Sequence, residues 1–385
     1  MKKRPRKICF LTGKRGGFGA LIPTFELVDR DPAMELVVIA TDMHLSEKFG
    51  RTIREVDRWI SGVIRVPMHQ ADDRPASRSS ALGKAMSGIT AALARVKPDV
   101  FVVLGDRGEV YVAVCAALHL GIPVAHIQGG DVSGNVDDMM RHAITKMAQI
   151  HFPATRSSAR RIIRMGEELW RVRVVGDPHV DMLARKRYTP ALEVRRKYGL
   201  EPEEAFGLIL LHPETYRPEK SYAFMKAVLE GIRRRGMRWV LVYPCSDHGY
   251  QGTLDAIDEF SGDAEFLIHK NIPAPDFWGL EAEAAVFIGN SGAGLIEAPY
   301  FNLPFINIGL RQNGRERGKN VVDVPSPTSG AVKKAVGRAL SREFNRRIER
   351  NRALPFGDGR AGERMVSFLK EVPLGAELFE KRIAY

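Results

Sequence analysis

The sequence predicts an α/β protein with two Rossmann-like, parallel-sheet domains and a cleft between them. Three observations carry this. Short apolar, β-branched runs alternate with helical patterns, as βαβ units require. The alternation breaks between Val180 and Glu204, a charged, proline-containing stretch without a strand, and then restarts with the same strand–turn–helix opening. At 385 residues the chain is also long for one core. The expected boundaries are residues 1–185 for the first domain, 186–204 for a linker and 205–357 for the second domain.

The strands expected in the first half are Lys7–Leu11, Glu35–Ala40, Val100–Leu104, Pro123–Ile127, Ile150–Pro153 and Arg173–Val175. Helical segments follow most of them, such as Glu109–Leu120, which stops at Gly121 before Pro123 starts the next strand. Leu82–Val96 is a further helical stretch. The second half offers Phe206–Leu211, Trp239–Tyr243, Glu265–Ile268, Ala284–Ile288 and Pro304–Ile308. The stretch from Arg338 to Leu354 reads as an amphipathic helix with a charged side.

Composition excludes several classes. Apolar residues make up 44% of the chain, ordinary for a globular protein, and no apolar run approaches the roughly 20 residues that span a bilayer. The basic start Met1–Lys7 precedes only Ile8–Leu11, too short for a signal-peptide core. Cys9, Cys115 and Cys245 are scattered among apolar residues, which suggests reduced thiols and a cytoplasmic home. The net charge of +12 is spread along the chain, with concentrations at the N-terminus, Arg233–Arg235 and Arg338–Arg352. No nucleic-acid-binding module accompanies it, so the charge reads as suited to anionic small substrates, with no nucleic-acid partner.

The richest passage runs from Val100 to Lys146. One apolar strand ends in Gly105-Asp106-Arg107, the next in Gln128-Gly-Gly-Asp131, and a helix opens with Asp137 and Asp138 before Arg141 and His142. Acids thus gather where strands end, the edge at which open α/β sheets bind ligands. Carboxylates without metal-ligand spacing point to proton transfer, with no metal or redox cofactor. Asp106 at a strand end is a candidate acid or base; its alternative role is an N-cap. Asp137 and Asp138 could simply favour the helix dipole, and His142 could be a core histidine. Two glycine-rich segments, Thr12–Gly19 and Gly289–Pro299, precede helices and suit phosphate. Tyr216 and Lys220 mimic a dehydrogenase pair beside the first of these, but Pro218 between them is incompatible with one helical face.

These motifs together resemble the hydrolysing UDP-N-acetylglucosamine 2-epimerases. Met43-His44-Leu45-Ser46, Phe49-Gly50, His212-Pro213, Gly289–Pro299, Arg311-Gln312 and Gly314-Arg315-Glu316 join the Val100–Lys146 passage, in order, over most of the chain. The resemblance implies the two-domain GT-B architecture, with residues 358–385 a C-terminal helix that packs back on the first domain. It implies a homodimer or homotetramer. It places catalytic groups at Asp106, Asp137, Asp138 and His212. Substrate contacts fall to Arg15, Arg107, Gln128, Asp131, Arg141, His142, Ser291, Gly292, Glu297, Arg311 and Arg315. Among these, Arg15 would touch phosphate, His212 the departing diphosphate, Glu297 the ribose hydroxyls, and Arg311 and Arg315 the diphosphate.

The chain departs from the family at three places. Lys14, Gly16 and Gly17 alter the first loop, and Ala20 stands where some relatives carry lysine. Gly292 stands where a second serine is common. Gln128 stands where many relatives place an acid, and an amide cannot act as a general base. The implied activity is conversion of a UDP-linked 2-acetamido sugar, by elimination and hydration, into UDP and the free 2-epimer. N-acetylmannosamine is the expected product type, as in sialic-acid synthesis. The alternatives are a GT-B glycosyltransferase, which shares the fold, and a non-catalytic nucleotide-sugar binding protein.

Overall fold

The computed structural model describes residues 4–72, 74–133 and 136–384; the Arg15 side chain is outside the described set. The chain divides into two compact units. One comprises Met1–Asp131, Asp137–Arg185 and Phe356–Tyr385, the other Val132–Val136 and Lys186–Pro355.

The first unit holds β1 (Arg6–Thr12), β2 (Met34–Ala40), β3 (Ile64–Arg65), β4 (Val100–Leu104), β5 (Val124–Ile127) and β6 (Ile150–Phe152). They pair in parallel in the order β3-β2-β1-β4-β5-β6. The second holds β7 (Phe206–Leu210), β8 (Arg238–Val242), β9 (Phe266–His269), β10 (Val286–Gly289), β11 (Phe305–Ile308) and β12 (Val321–Val324). Its order is β12-β11-β10-β7-β8-β9. Counted from each unit's own first strand, the two orders are the same. The order reverses beside β1 and beside β7, the topological switch points at which such sheets open a crevice.

Helices cover the sheets, so the central strands β4, β5 and β7 are buried at every residue. The Trp239 ring on β8 packs against β7 because Gly207 leaves room: a Cβ there would stand 2.2 Å from the indole ring. Gly289 ends β10 where a Cβ would stand 1.9 Å from the Leu210 carbonyl oxygen, so only glycine lets β7 and β10 continue into their loops side by side. No helix among the described residues is long and apolar enough to cross a membrane.

Several sequence expectations need correction. Arg173–Val175 is not a strand. It runs beside β6 through Arg173 N–H to His151 O and Val175 N–H to Pro153 O, but Arg173 and Val174 face solvent and no neighbour extends the sheet. β3 was not anticipated, being two residues long, nor was β12, whose Asp323 interrupts the apolar run. The helix expected from Leu82 begins at Pro75, where proline's fixed φ suits a first turn. The stretch Arg338–Leu354 is split, because Ser341 caps a new helix, Arg342–Arg350, after Ser329–Ala339 ends. Thr12–Gly19 is no extended loop: the helix Arg15–Arg30 starts at once, and Gly16, Gly17 and Gly19 lie inside it.

The C-terminal segment belongs to the first unit. Asp181 accepts from the backbone N–H groups of Ala361 and Gly362, capping the helix Ala361–Glu371. The buried Arg171 guanidinium donates to the carbonyls of Glu377, Leu378 and Glu380. Lys381 and Lys146 each reach Glu167 at 2.7 Å, and His151 Nε2 reaches it at 3.0 Å. Burial opposes the Glu167 charge, but these donors outweigh it and lower its pKa from the ordinary 4.5 to about 2. A carboxylate depressed in the folded state stabilises above its unfolded pKa, and that stability disappears as pH falls through the folded value. Stability should therefore drop by on the order of 2–3 kcal/mol between about pH 5 and pH 2 through this residue alone. Denaturant melts of Glu167→Gln should show a correspondingly flatter acid limb; an unchanged limb would refute the assignment.

Candidate active site

In the first unit the predicted residues collect at the carboxyl edge of the sheet. Four charges sit at its switch point, where β1, β2 and β4 end. Arg107 donates to Glu109 at 2.8 Å and to Asp42 at 3.1 Å; Arg78 donates to Glu109 at 2.8 Å and to Asp42 at 3.2 Å. Glu109 is only 1% exposed. Burial opposes its charge, but Arg107 and Arg78 hold it below the usual carboxylate range, whereas burial and neighbouring Glu109 push Asp42 up. Glu109 also lies where a Cβ on Gly13 would stand, 2.7 Å from its Oε1. Arg107, expected to touch substrate, is thus committed to a buried ion-pair network. Behind it His44 is held between Thr12 Oγ1 at 2.9 Å and Thr52 Oγ1 at 2.8 Å, and burial lowers its pKa to about 4.

A second cluster centres on Arg141, which is 4% exposed. Its guanidinium pairs with Asp106 after β4 and with Asp138 one turn earlier in the helix Asp137–Met147, and donates to the Asp131 carbonyl at 3.1 Å. Burial opposes its charge, but Asp106, Asp131 and Asp138 raise its pKa further, so it is a permanent cation. Asp106 does not cap the following helix. Arg107 occupies that position, without a side-chain cap. Asp137 opens the helix beside Asp138. The Asp131 carboxylate accepts from Ser158 Oγ at 2.5 Å and is buried. His142 is half-buried, with its pKa lowered chiefly by burial. Gly134 and Asn135, within the same motif, lie outside the described residues, as does the side chain of Arg15.

Gln128 follows β5 in left-handed backbone, φ 64°. Its Nε2 donates to Asp177 Oδ2 at 2.6 Å, and Asp177 Oδ1 accepts from His179 Nδ1 at 2.7 Å. The sequence reading missed this pair. Asp177-Pro178 looks like an ordinary helix start, and Asp177 does accept the His179 backbone N–H. Beneath Gln128, His126 is fully buried against the Gly105 carbonyl, and burial lowers its pKa to about 3.

In the second unit, His212 follows β7. The Cys245 backbone N–H donates to His212 Nδ1 at 3.0 Å, so in the neutral ring Nε2 carries the proton. Asn290, part of the Gly289–Pro299 motif but given no role there, fixes this residue with its side-chain amide: Oδ1 accepts the His212 N–H at 2.8 Å and Nδ2 donates to the His212 carbonyl at 2.9 Å. The Gly289–Pro299 segment forms only a four-residue helix, Ala293–Ile296, because Pro299 follows so soon. Its donors come instead from neighbours. Arg315 Nη1 would lie 3.1 Å from a Cβ on Gly292, so the glycine admits the guanidinium. Gln312 bridges Arg315 and the Asn290 carbonyl, at 3.2 and 2.7 Å. Arg311 lies 3.5 Å from Asp247, and Glu214 accepts its backbone N–H at 3.2 Å. Ser291 Oγ accepts the Ala293 N–H at 3.4 Å. Glu297 comes after the short helix, not within it, and is buried. Burial and the neighbouring Glu297 push the Glu281 carboxyl well above the carboxylate range.

Removing Arg107 leaves Asp42 and Glu109 buried with one cation between them. Arg107→Met should therefore cost about 3–5 kcal/mol of stability, read by denaturant unfolding. A variant of normal stability but raised KM would return Arg107 to the substrate.

Comparison with known proteins identifies relatives of the chain. The sequence pattern described as UDP-N-acetylglucosamine 2-epimerase matches residues 26–370. A UDP-N,N'-diacetylbacillosamine 2-epimerase (hydrolyzing) of Legionella pneumophila is 34% identical over 99% of this chain and 100% of its own. A UDP-N-acetylglucosamine 2-epimerase of Neisseria meningitidis is 30% identical over 82% of this chain and 83% of its own. The fold is similar to that of the Methanocaldococcus jannaschii UDP-GlcNAc 2-epimerase solved with UDP-GlcNAc and UDP, with TM-score 0.78 and 21% identity over 94% of this chain and 99% of that one. With its sequence pattern matched over most of its length and its twin parallel sheets in place, the chain belongs to the UDP-N-acetylglucosamine 2-epimerase family.

Proposed function

We propose that the protein is a hydrolysing 2-epimerase that converts a UDP-linked 2-acetamido sugar into UDP and the free 2-epimer. The observation that carries this is the Asp106–Arg141–Asp138 cluster at the end of β4. Full-length similarity to a relative named as hydrolysing supports it. That relative also favours a 2,4-diacetamido sugar beside UDP-N-acetylglucosamine as a substrate.

The first unit supplies acid–base groups. Asp106, kept beside a permanent guanidinium, takes the C2 proton; the electron pair forms the C1–C2 double bond, and UDP leaves C1. Asp137 and Asp138 orient the sugar from the helix start, and Asp131 and His142 shape the wall behind them. Water then adds at C1, and C2 regains a proton on the other face. The second unit supplies nucleotide binding. His212 donates its Nε2–H to the leaving diphosphate, and Arg311, Arg315 and the Ser291–Gly292 turn meet its other oxygens, so charge is stabilised as it develops. Arg15 is a further phosphate contact. Glu297, buried after the short helix, accepts from the ribose hydroxyls.

In deuterated water, incubation with UDP-N-acetylglucosamine or UDP-N,N'-diacetylbacillosamine should give free UDP and a free sugar deuterated at C2, followed by NMR. Retention of the epimer on UDP would assign the non-hydrolysing class. Sugar transfer with C2 unchanged would assign a glycosyltransferase, and binding without turnover a sensor. Asp106→Asn should reduce turnover on the order of 10²-fold or more with UDP affinity kept. Near-normal turnover of the folded variant would leave Asp106 a structural partner of Arg141.

A further inference from the structure

The helix Asp137–Met147 opens with Asp137 and Asp138 and carries Arg141 one turn on. Its far end is held by a residue from a distant part of the chain. Lys381 Nζ donates to the carbonyls of Lys146 and Ala148 at 2.7 Å each and to that of Thr145 at 3.3 Å. The last carbonyls of a helix have no acceptor's partner within it, so they need an outside donor. A cation there also meets the negative end of the helix dipole. The lysine side chain is 14% exposed, and Glu167 at 2.7 Å balances its charge. The segment that carries it is fastened on both sides, by Arg171 at the carbonyls of Glu377, Leu378 and Glu380 and by the Ala384 N–H at the Gly166 carbonyl, 2.9 Å away. The turn that Lys381 closes also reaches the acid cluster. Thr145 Oγ1 donates to the Arg141 carbonyl at 3.0 Å and stands 3.3 Å from His126 Nδ1. His126 Nε2 donates to the carbonyl of Gly105, the residue before Asp106, at 2.8 Å.

We propose that Lys381 is a positioning residue for the epimerase reaction: by closing the carboxyl end of the helix Asp137–Met147 it holds Arg141, and through Arg141 the carboxylates of Asp106 and Asp138, in place for proton transfer. This rests on the hydrolysing-epimerase reading. Without the ammonium, the carbonyls of Thr145, Lys146 and Ala148 lose a donor, and the helix loosens toward Arg141, one turn before Thr145. The guanidinium keeps its charge but no longer has a fixed origin. Misplacing a reacting group by about 1 Å can cost on the order of 10²-fold in rate. The effect belongs to kcat, because Lys381, the helix and Asp106 all lie in the first unit, whereas the groups assigned to the nucleotide lie in the second.

The test compares kcat, KM and UDP affinity of wild type, Lys381→Met, Lys381→Gln, Lys381→Arg and Lys370→Met, each checked for a cooperative melt. The substrate is whichever of UDP-N-acetylglucosamine and UDP-N,N'-diacetylbacillosamine wild type turns over. Lys381→Met, which keeps length but has no donor, should lower kcat on the order of 10-fold with KM and UDP affinity unchanged. Lys381→Gln, a shorter neutral donor, should do the same and carries the comparison if the methionine variant does not fold. Lys381→Arg, which restores a charged donor, should recover most of the loss. Lys370 belongs to the same C-terminal segment but pairs with Asp31, at 2.6 Å, so Lys370→Met controls for loosening of the segment and should leave kcat unchanged. Wild-type kcat in the folded Lys381→Met or Lys381→Gln variant overturns the proposal. So does a loss that appears in KM or UDP affinity in place of kcat, an arginine variant as slow as the methionine one, or an equal slowing by Lys370→Met. Wild type that releases no UDP from either sugar would instead sink the function reading itself.

Discussion

Arg141 is the group on which the first unit's site depends. It joins three separate chain segments: Asp106 after β4, the Asp131 carbonyl after β5, and Asp138 in the following helix. A guanidinium presents five donors in a fixed plane, so one side chain can set the positions of several acceptors. Without it, carboxylates gathered at a sheet edge would repel one another and the loops carrying them would separate. With it, the acids are held close together around one guanidinium.

The same device recurs at the switch point, with Arg107 and Arg78 against Asp42 and Glu109. Burying one of these charges alone would be costly, but the alternating signs offset most of the desolvation. Glu109 of the network packs against Gly13, just before the helix Arg15–Arg30 starts. The second unit has the same strand order but fills its carboxyl edge differently. There, donors predominate: Arg311, Arg315, Gln312 and the proton on His212 Nε2. One topology thus carries carboxylates paired with arginines in one unit and mainly hydrogen-bond donors in the other, and the difference lies in the residues after the strands.

The Gln128–Asp177–His179 line shows why a departure from a family's pattern is poorly judged one residue at a time. Read alone, glutamine in place of an acid suggests loss of function. Beside Asp177 it is a complementary partner, an amide donor to a buried carboxylate from another segment.

Periodicity and punctuation determined the architecture. Runs such as Val100–Leu104 are apolar at every position because both faces of a parallel sheet are covered, so they are visible without any knowledge of their neighbours. Strand ends are legible too, which places Asp106, Gln128, His212 and the Gly289 turn at the carboxyl edges of the sheets. Short or mixed segments were not legible: β3 and β12 are strands because a parallel neighbour pairs with them, not because of their own pattern. Nor were partners. That Arg107 turns to Asp42, 65 residues away, that Asn290 secures His212, and that Asp177 sits against Gln128 are matters of distance in space. Side-chain type sets what a residue can donate or accept, but only the packed sheets decide which donor meets which acceptor.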